Sequence, residues 1–285
     1  MAEVATFATS DQLLVVIDPA ARRTDGESVR IAKDVLSAGA ATKVCLPDGP
    51  EEFARALARR GSRRPVVIGD DRALVRAVSL LHRRRELAAC ALSLVPVGSG
   101  LSLAAALGVP TGAVAAARAV LLGAERRLDL LVDDSDGVVL GALRIPALPG
   151  AGPDDFGADS AAGRTAWLRT CHSLVRTLVP ARAPAPGPGA PARLRVEVDG
   201  KTLVDLDQPV AAVSVTPGGA GTADVDVRPL SVGAEAAPLT ARGRRVTVSG
   251  ADFRYGADAE VWGPVRSRTW TVWDGALGLT LPGPA

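Results

Sequence analysis

The feature that most constrains the fold of this chain is a run without charged residues that covers residues 87–117. A run of this length could span a bilayer. Prolines and glycines interrupt it, however, and alanine supplies much of the remainder; the interruptions fall at Pro96, Gly98, Gly100, Gly108, Pro110 and Gly112. Because it lacks the sustained large apolar residues of a membrane-spanning helix, we interpret it as a buried strand followed by a core helix.

Within this run, a glycine-containing turn separates the predicted strand from the predicted helix. Residues 91–95 form a short apolar stretch that ends at a proline, which is typical of a strand covered on both faces. Gly98 and Gly100 flank Ser99, and either Ser99 or Ser102 could cap the helix that follows. Unpaired amides at such a helix start can bind a phosphate, although the same pattern also occurs in ordinary turns.

The first half of the chain alternates short apolar runs with amphipathic stretches. Further strands are predicted at 13–17, 43–47, 65–69 and 128–132, and helices at 28–38, 50–60, 74–87 and 111–123. Strands that alternate with helices at this spacing predict a parallel sheet with helices on both faces. We therefore predict a nucleotide-type α/β domain over residues 1–134.

The pattern changes after residue 134, and the apolar period becomes two beyond a proline-rich connector at 180–191. A helix is predicted before the connector, at 163–178, and Asp199-Gly200 after it is typical of a hairpin turn. Strands are predicted at 194–198, 212–215, 223–227, 245–249, 258–262 and 268–273. The fold class is therefore α/β, with an antiparallel β-sandwich domain over residues 135–285. The sequence leaves open whether residues 276–281 return to the first domain.

Net charge and cysteine content bear on which kinds of partner and cellular compartment the chain can have. The formal net charge is only +2, so the sequence gives no reason to expect a nucleic-acid partner. Cys45, Cys90 and Cys171 form no metal motif and no disulfide framework, which predicts reduced thiols and a cytoplasmic protein. No signal peptide is visible at the N-terminus.

Two short motifs follow predicted strands, Gly69-Asp70-Asp71-Arg72-Ala73 and Pro96-Val97-Gly98-Ser99-Gly100-Leu101-Ser102, and a third, Asp258-Ala259-Glu260, comes near the end of the chain. In this order they resemble the Gly-Gly-Asp-Gly-Thr, Pro-Leu-Gly-Thr-Gly-Asn-Asp and Asp-Gly-Glu motifs of the diacylglycerol kinase catalytic family, which includes bacterial and sphingosine-kinase-like lipid kinases. Ile17-Asp18-Pro19-Ala20 stands at the place of the family's Asn-Pro turn. The resemblance extends over nearly the whole chain.

The resemblance implies ATP-dependent phosphoryl transfer to a lipid hydroxyl, in a cleft between the two domains. ATP would bind at the two glycine turns, through Gly69, Asp71, Arg72, Gly98, Ser99 and Gly100. Mg²⁺ would bind to Asp71, with Asp258 as a second candidate ligand, and Asp258 and Glu260 would be catalytic, Glu260 accepting the hydroxyl proton. Diacylglycerol or another hydroxyl lipid is the implied partner. Peripheral contact at the inner membrane face and a homodimer are left open by the sequence.

Several residues depart from the family pattern. Asp70 and Arg72 replace two glycines, Ala73 replaces the threonine, and Leu101 and Ser102 replace an Asn-Asp pair. A carboxylate beside phosphates is unfavourable, and Arg72 could either pair with a phosphate or neutralise Asp70. These changes predict weak nucleotide binding. They favour an alternative in which a degenerate member binds lipid, nucleotide or a protein partner without turnover; an enzyme similar to NAD kinases fits the chain less well.

Each candidate also has a purely structural interpretation. Asp71 could be a helix N-cap, Ser99 a turn residue and Glu260 an exposed hairpin carboxylate. His82, next to Arg83-Arg84-Arg85, is predicted on a solvated helix face, with contact to acidic lipid headgroups as the alternative. His172 is predicted to be a packing residue. The tryptophans 262, 270 and 273 are predicted in the sandwich core, with a lipid-contacting cleft as the alternative.

Overall fold

The computed structural model describes residues 12–147, 192–230, 237–258 and 260–283. Strands and helices alternate in the N-terminal part, as its elements show: β1 (Leu13–Ile17), α1 (Pro19–Thr24), α2 (Gly26–Gly39), β2 (Thr42–Cys45), α3 (Pro50–Ala58), β3 (Arg64–Gly69), α4 (Asp71–Arg83), β4 (Ala91–Pro96), α5 (Ser102–Ala106), α6 (Ala113–Leu122) and β5 (Ala124–Asp133). The later described elements are strands: β6 (Val138–Val139), β7 (Leu143–Ile145), β8 (Ala192–Val198), β9 (Lys201–Val204), β10 (Pro209–Gly219), β11 (Thr222–Pro229), β12 (Leu239–Gly243), β13 (Arg245–Ala257) and β14 (Glu260–Leu281).

The first four strands pair in parallel in the order β2-β1-β3-β4. All five residues of β1 are buried, and alternate side chains enter two different hydrophobic cores. Leu13, Val15 and Ile17 face the core that contains residues of α2 and α6. Leu14 and Val16 face the core that contains residues of α3 and α4. Burial on both faces explains why β1 reads as a continuous apolar run rather than an alternating one.

Aspartates begin three of the N-terminal helices. Asp18 caps α1 by accepting the Ala20 N–H, Asp25 caps α2 by accepting the Ser28 N–H, and Asp70 caps α4. Because the Asp70 carboxylate accepts the Ala73 N–H at 3.0 Å, α4 begins at Asp71, earlier than its apolar periodicity predicts. The side-chain acceptor therefore fixes the start of the helix.

The C-terminal part consists of strands in antiparallel pairs. β13 pairs with both β8 and β14, and β11 lies between β10 and β12. Asp199 and Gly200 turn the chain between β8 and β9 with positive φ values of 50° and 78°, as predicted for a tight hairpin. The mixed α/β class with a strand-rich, antiparallel C-terminal region is thus confirmed. The division of the chain at residue 134 stays a prediction.

The long strand β14 connects the two parts. Its first residues pair with β13, and from Trp270 onward it pairs with β5. Near its end it lies parallel to β4, with Gly278 opposite Ala91 and Leu279 opposite Leu92. A buried hydrogen bond of 2.9 Å from the Ser93 hydroxyl to that of Thr280 reinforces this pairing. The end of the chain therefore returns to the N-terminal sheet, which the sequence had left open.

Two local predictions are wrong. Residues 258–262 do not form one strand, because Asp258 lies in the turn between β13 and β14 with a φ of 49°. His82 is buried rather than solvated: its side chain is 4% exposed, and its Nε2 lies 2.6 Å from Asp136 Oδ1. Its ring also packs edge-on against Trp273. Both positions depend on contacts with distant parts of the chain.

The tryptophan prediction is only partly confirmed. Trp270 is fully buried in the C-terminal core, whereas Trp262 and Trp273 are 42% and 46% exposed. The predicted helix 163–178, the connector 180–191, and the residues Cys171 and His172 lie outside the described residues. In the part of the chain that the structure describes, no helix is long and apolar enough to cross a membrane.

The return of β14 is expected to contribute strongly to stability. Leu279 is fully buried in the core that β14 shares with α4 and β4, whereas Leu122 is 83% exposed. Leu279→Ala should lower the free energy of unfolding by about 2–5 kcal/mol through lost burial and a residual cavity. Leu122→Ala, the matched control, should change it by less than about 0.5 kcal/mol. Urea denaturation measures both values, and equal effects would contradict the placement of β14.

Candidate functional site

Two loops lie side by side at the carboxyl ends of the parallel strands β3 and β4. Hydrogen bonds join them: the Val97 N–H donates to the Gly69 carbonyl, and the Asp71 N–H donates to the Gly100 carbonyl, each at 2.9 Å. This edge of an open parallel sheet is where such sheets bind ligands. The structure therefore brings together the two loops that the sequence singled out.

Glycine is required in both loops for different reasons. Gly98 has a φ of 130°, a conformation that other residues rarely adopt. At Gly69, a Cβ atom would lie 2.6 Å from Ala73 Cβ and 3.0 Å from Asp18 Cβ, so the absence of a side chain allows β3 to pack closely on α4. Both glycines are thus explained by packing and backbone conformation.

The other loop positions are occupied or exposed. Ser99 and Arg72 are exposed, Gly98 is half-buried and Gly100 is buried. Asp70 faces the start of α4 and uses its carboxylate as the helix cap. Arg72 is exposed in the first turn of α4, and the Asp70 carboxylate is used by the Ala73 N–H.

Asp71 is buried and caps a helix, but not its own. The side chain is at the first position of α4, and its Oδ2 and Oδ1 accept the N–H groups of Leu103 and Ala104 at 2.8 and 2.9 Å. These amides belong to the first turn of α5, whose N-cap residue offers no side-chain acceptor. The prediction that Ser99 or Ser102 caps α5 is therefore wrong. Burial raises the pKa of Asp71, and the two backbone N–H groups oppose that rise.

Asp258 is the second buried carboxylate, and it is held in the same way. Its Oδ2 and Oδ1 accept the N–H groups of Leu140 and Gly141 at 2.8 and 2.7 Å. Burial raises its pKa to about 6 against three backbone hydrogen bonds that lower it, and the negative charge of Asp71 raises it further. The two carboxylates therefore interact across a common space.

That space is a cavity of about 290 Å³ between α5, the link from β6 to β7, and the turn before β14. Its lining consists of Asp71, Ser102, Leu103, Ala106, Leu107, Leu140, Gly141, Ala142, Thr216, Pro217 and Asp258. Among these residues, two are acids and none is a base. The wall of the cavity is therefore mostly apolar, and both of its ionisable side chains are acids.

Glu260 does not belong to this arrangement. It is exposed in the β13–β14 hairpin opposite Ala257, and it does not line the cavity although Asp258 is only two positions away. Its placement agrees with the structural interpretation of an exposed hairpin carboxylate. Its catalytic role stays a prediction.

Two features of the site were not expected as candidates from the sequence. Asp18, at the end of β1, is 4% exposed and accepts a hydrogen bond from Arg76 Nη1 at 2.6 Å. Ser102 lines the cavity beside Asp71, and its Oγ is buried with no partner of hydrogen-bond geometry in the described part of the chain. The position of Asp18 in the Asp-Pro turn was a usable signal, whereas sequence reasoning found Ser102 only as a candidate helix cap and as a departure from the family motif.

The residues present do not fit a magnesium-bound triphosphate. Asp71 and Asp258 each already accept backbone N–H groups with both oxygens. The described residues contain no group of three acids, histidines or cysteines that could hold a metal ion. In the first loop, the Asp71 N–H donates to Gly100 and the Ala73 N–H to Asp70, so two amides that could face a phosphate are occupied.

Comparison with known proteins finds one family model that matches part of the chain. Residues 12–132 match the family described as the diacylglycerol kinase catalytic domain, which confirms the resemblance found in the motifs. No match was found among curated proteins. The matched segment contains both loops and Asp71 but not Asp258 or Glu260.

Solved structures extend the similarity in fold. A "putative diacylglycerol kinase" from Bacillus anthracis str. Sterne is 12% identical, with a TM-score of 0.68, 96% of this chain covered and 98% of that one. A second crystal structure, of a diacylglycerol kinase from the same strain, gives 12% identity, a TM-score of 0.66 and the same coverage. At this identity the similarity concerns the fold alone.

The raised pKa of Asp258 predicts a pH effect on stability. The carboxyl titrates at about 6 when folded and at an ordinary value of 3.8 when unfolded, so between these values the folded state binds more protons. Stability from this group is present at low pH and is lost as the pH rises through 6, by about 3 kcal/mol in total.

The variant Asp258→Asn should lack that dependence. Urea denaturation from pH 4.5 to 8 should show a wild-type slope between pH 4.5 and 6.5 that the variant loses, while the two curves run parallel above about pH 7. An unchanged slope in the variant would show that Asp258 is not the buried group that titrates.

Proposed function

Because residues 12–132 match the diacylglycerol kinase catalytic domain, we propose that the chain is a lipid-kinase-like protein that binds a lipid in the cavity of Asp71 and Asp258 and binds nucleotide weakly. One observation carries this proposal. The chain's own carboxylates already accept the amide hydrogens at the starts of α4 and α5, beside the two glycine turns.

The cavity supports the lipid part of the proposal. Leu103, Leu107 and Leu140 provide apolar walls, and the volume of about 290 Å³ lies near the lower end of the range for ligand cavities. The polar groups are concentrated at Asp71, Asp258 and Ser102. This arrangement suits a small hydroxyl-bearing head attached to an apolar chain, with the carboxylates as acceptors for its O–H groups.

The loops support weak nucleotide binding. A phosphate at the start of α4 would have to displace the Asp70 carboxylate from the Ala73 N–H or lie beside it. Two like charges 4 Å apart repel by about 4 kcal/mol at an effective dielectric constant of 20. The exposed Arg72 could offset part of this repulsion, and ATP and Mg²⁺ therefore enter the proposal only as weak ligands.

A second candidate is an active lipid phosphotransferase. It is favoured by Asp71 and Asp258 lining one cavity, since paired acids are what the resemblance implies for metal binding and proton transfer. In this candidate Glu260 would accept the proton of the lipid hydroxyl. Cytoplasmic location, peripheral membrane contact and a homodimer accompany both candidates as predictions from the sequence.

Restoring the family pattern in the first loop should strengthen nucleotide binding. The variant Asp70→Gly, Arg72→Gly, Ala73→Thr removes a like charge and frees an amide, which should favour ATP binding by on the order of 1–3 kcal/mol. Calorimetric titration with ATP, with and without Mg²⁺, measures the gain. Tight Mg²⁺-dependent binding by the wild type would contradict the proposal and would give Arg72 the role of the missing contacts.

Lipid-dependent phosphate incorporation separates the two candidates. The wild type, the restored variant, Asp71→Asn and Glu260→Gln are assayed on diacylglycerol vesicles. Turnover by the wild type that both carboxylate substitutions reduce by about tenfold or more would establish the active candidate. Turnover that neither substitution changes would show that the site is elsewhere. If neither the wild type nor the restored variant turns over while lipid binding persists, the binding function stands.

A further inference from the structure

The strand β2 is a free edge of the parallel sheet. It lies at the end of the strand order β14-β4-β3-β1-β2, and among the described strands it pairs only with β1. The Leu13 N–H donates to the Ala41 carbonyl at 2.9 Å, so by alternation the backbone groups of Lys43 also face β1. The backbone groups of Thr42 and Val44 therefore point away from the sheet, where a further strand could pair with them.

One face of this edge has a cavity of about 290 Å³ beside α3, here termed the β2 cavity. Its lining consists of Leu14, Lys43, Cys45, Glu52, Arg55, Ala56 and Arg59. Among these residues three are bases and one is an acid. The acid, Glu52, has its Oε1 3.7 Å from Arg55 Nη2 and also accepts the Asp48 N–H. The lining therefore has a net positive charge, and both Lys43 and Arg59 are exposed.

The other face of the same edge carries an exposed apolar side chain. Val44 lies opposite Val15 in the register of the sheet, on the side of the core that contains α2. Lys43 lies opposite Leu14, on the side of the core that contains α3. Val44 is 36% exposed, and Leu46, immediately after the strand, is 55% exposed. Successive residues of β2 thus present a base on one face and an apolar side chain on the other.

We propose that the free edge of β2 binds an extended segment of a partner protein in which acidic and apolar side chains alternate. Main-chain hydrogen bonds to Thr42 and Val44 hold this segment as an added strand, which is a general mode of peptide recognition. Because side chains alternate between the two faces of a strand, its acidic residues face the β2 cavity and its apolar residues lie beside Val44. No residue lines both this cavity and that of Asp71 and Asp258, so the inference goes beyond the proposed function.

Two other occupants fit this edge less well. In an antiparallel pairing of two copies about Val44, the two β2 cavities would lie on the same face of the joined sheet, so their bases would repel each other. A lysine on an edge strand, such as Lys43, commonly opposes self-pairing of this kind. A nucleic acid would match the bases, but its backbone cannot continue the hydrogen-bond pattern of a sheet. An acidic peptide strand satisfies both the charges and the main-chain groups.

The experiment compares two fluorescein-labelled peptides of the same length, composition and charge. In one peptide valine and glutamate alternate, and in the other all the valines precede the glutamates. Fluorescence anisotropy with the full-length protein should show that the alternating peptide binds about tenfold more tightly, because only this peptide matches both faces of the edge. Equal affinities for the two peptides, or no binding of either, would overturn the proposal. Equally tight binding of a thymidine oligonucleotide of similar length would show that negative charge alone is recognised and would also overturn it.

Charge-reversal variants assign the recognition to the β2 cavity. Lys43→Glu and Arg59→Glu, both at exposed positions, should each weaken binding of the alternating peptide by about tenfold. Arg118→Glu is the matched control, because Arg118 is exposed on α6 and lines neither this cavity nor that of Asp71 and Asp258. It changes the net charge equally and should alter the affinity by less than about twofold. A loss in the control as large as that in the cavity variants would overturn the assignment.

A second pair of variants tests the main-chain hydrogen bonds. Proline is tolerated on edge strands where its missing N–H would face outward, so Val44→Pro should keep the pairing of β2 with β1 and weaken binding of the alternating peptide by about fivefold. Val44→Thr keeps the N–H and the branched shape and should stay within about twofold of the wild type. Equal affinities of these two variants would overturn the added strand. If Val44→Pro does not fold, the two peptides and the charge variants decide the test. A wild-type dimer in analytical ultracentrifugation that Val44→Pro dissociates would give the edge to a second copy instead.

Discussion

The carboxylate of Asp71 is the group on which the arrangement of the two loops depends. It accepts the Leu103 and Ala104 N–H groups, while its own N–H donates to the Gly100 carbonyl. Hydrogen bonds to a charged group contribute about 1.5–3 kcal/mol each. Because α5 is short and has no side-chain cap of its own, these bonds hold its first turn and thereby place Leu103 in the cavity wall. The same carboxylate thus serves the fold and faces the ligand space, which limits its freedom to bind a metal.

The strand β14 joins distant parts of the chain. It begins at Glu260, two positions after Asp258, and its end pairs with β4 and β5 of the N-terminal part. Trp270, at the point where the pairing with β5 begins, is buried against Tyr255, whose hydroxyl donates to Asp133. Burial and the neighbouring Asp133 charge raise the pKa of Tyr255. Pairing with β13 at one end and with β4 and β5 at the other thus connects the C-terminal strands to the N-terminal sheet.

Sequence reasoning succeeded where local pattern decides the structure. β1 was predicted with the observed bounds because an apolar run ends at Asp18-Pro19. The loops were found because their glycines follow buried strands. Sequence reasoning failed where contacts with distant residues determine burial. His82 packs against Asp136 and Trp273, and helix periodicity does not reveal these contacts. The partners of Asp71 likewise lie far along the chain. A helix N-terminus can be capped by a nearby side chain or by a distant one, and residue spacing does not show which of the two is used.

The first loop and the cavity of Asp71 and Asp258 share one physical feature, which is that aspartate carboxylates accept backbone N–H groups there. Where the related motif has glycines whose amides face phosphate, this chain places the Asp70 carboxylate at the start of α4, and an anion there is favoured by the helix dipole. The positive end of the helix is therefore neutralised internally. With Asp71 used in the same way by α5, and Asp258 held by the Leu140 and Gly141 amides, these particular N–H groups are not free to bind an anionic ligand. An anionic ligand at the first loop would therefore meet the Asp70 carboxylate, which opposes its binding.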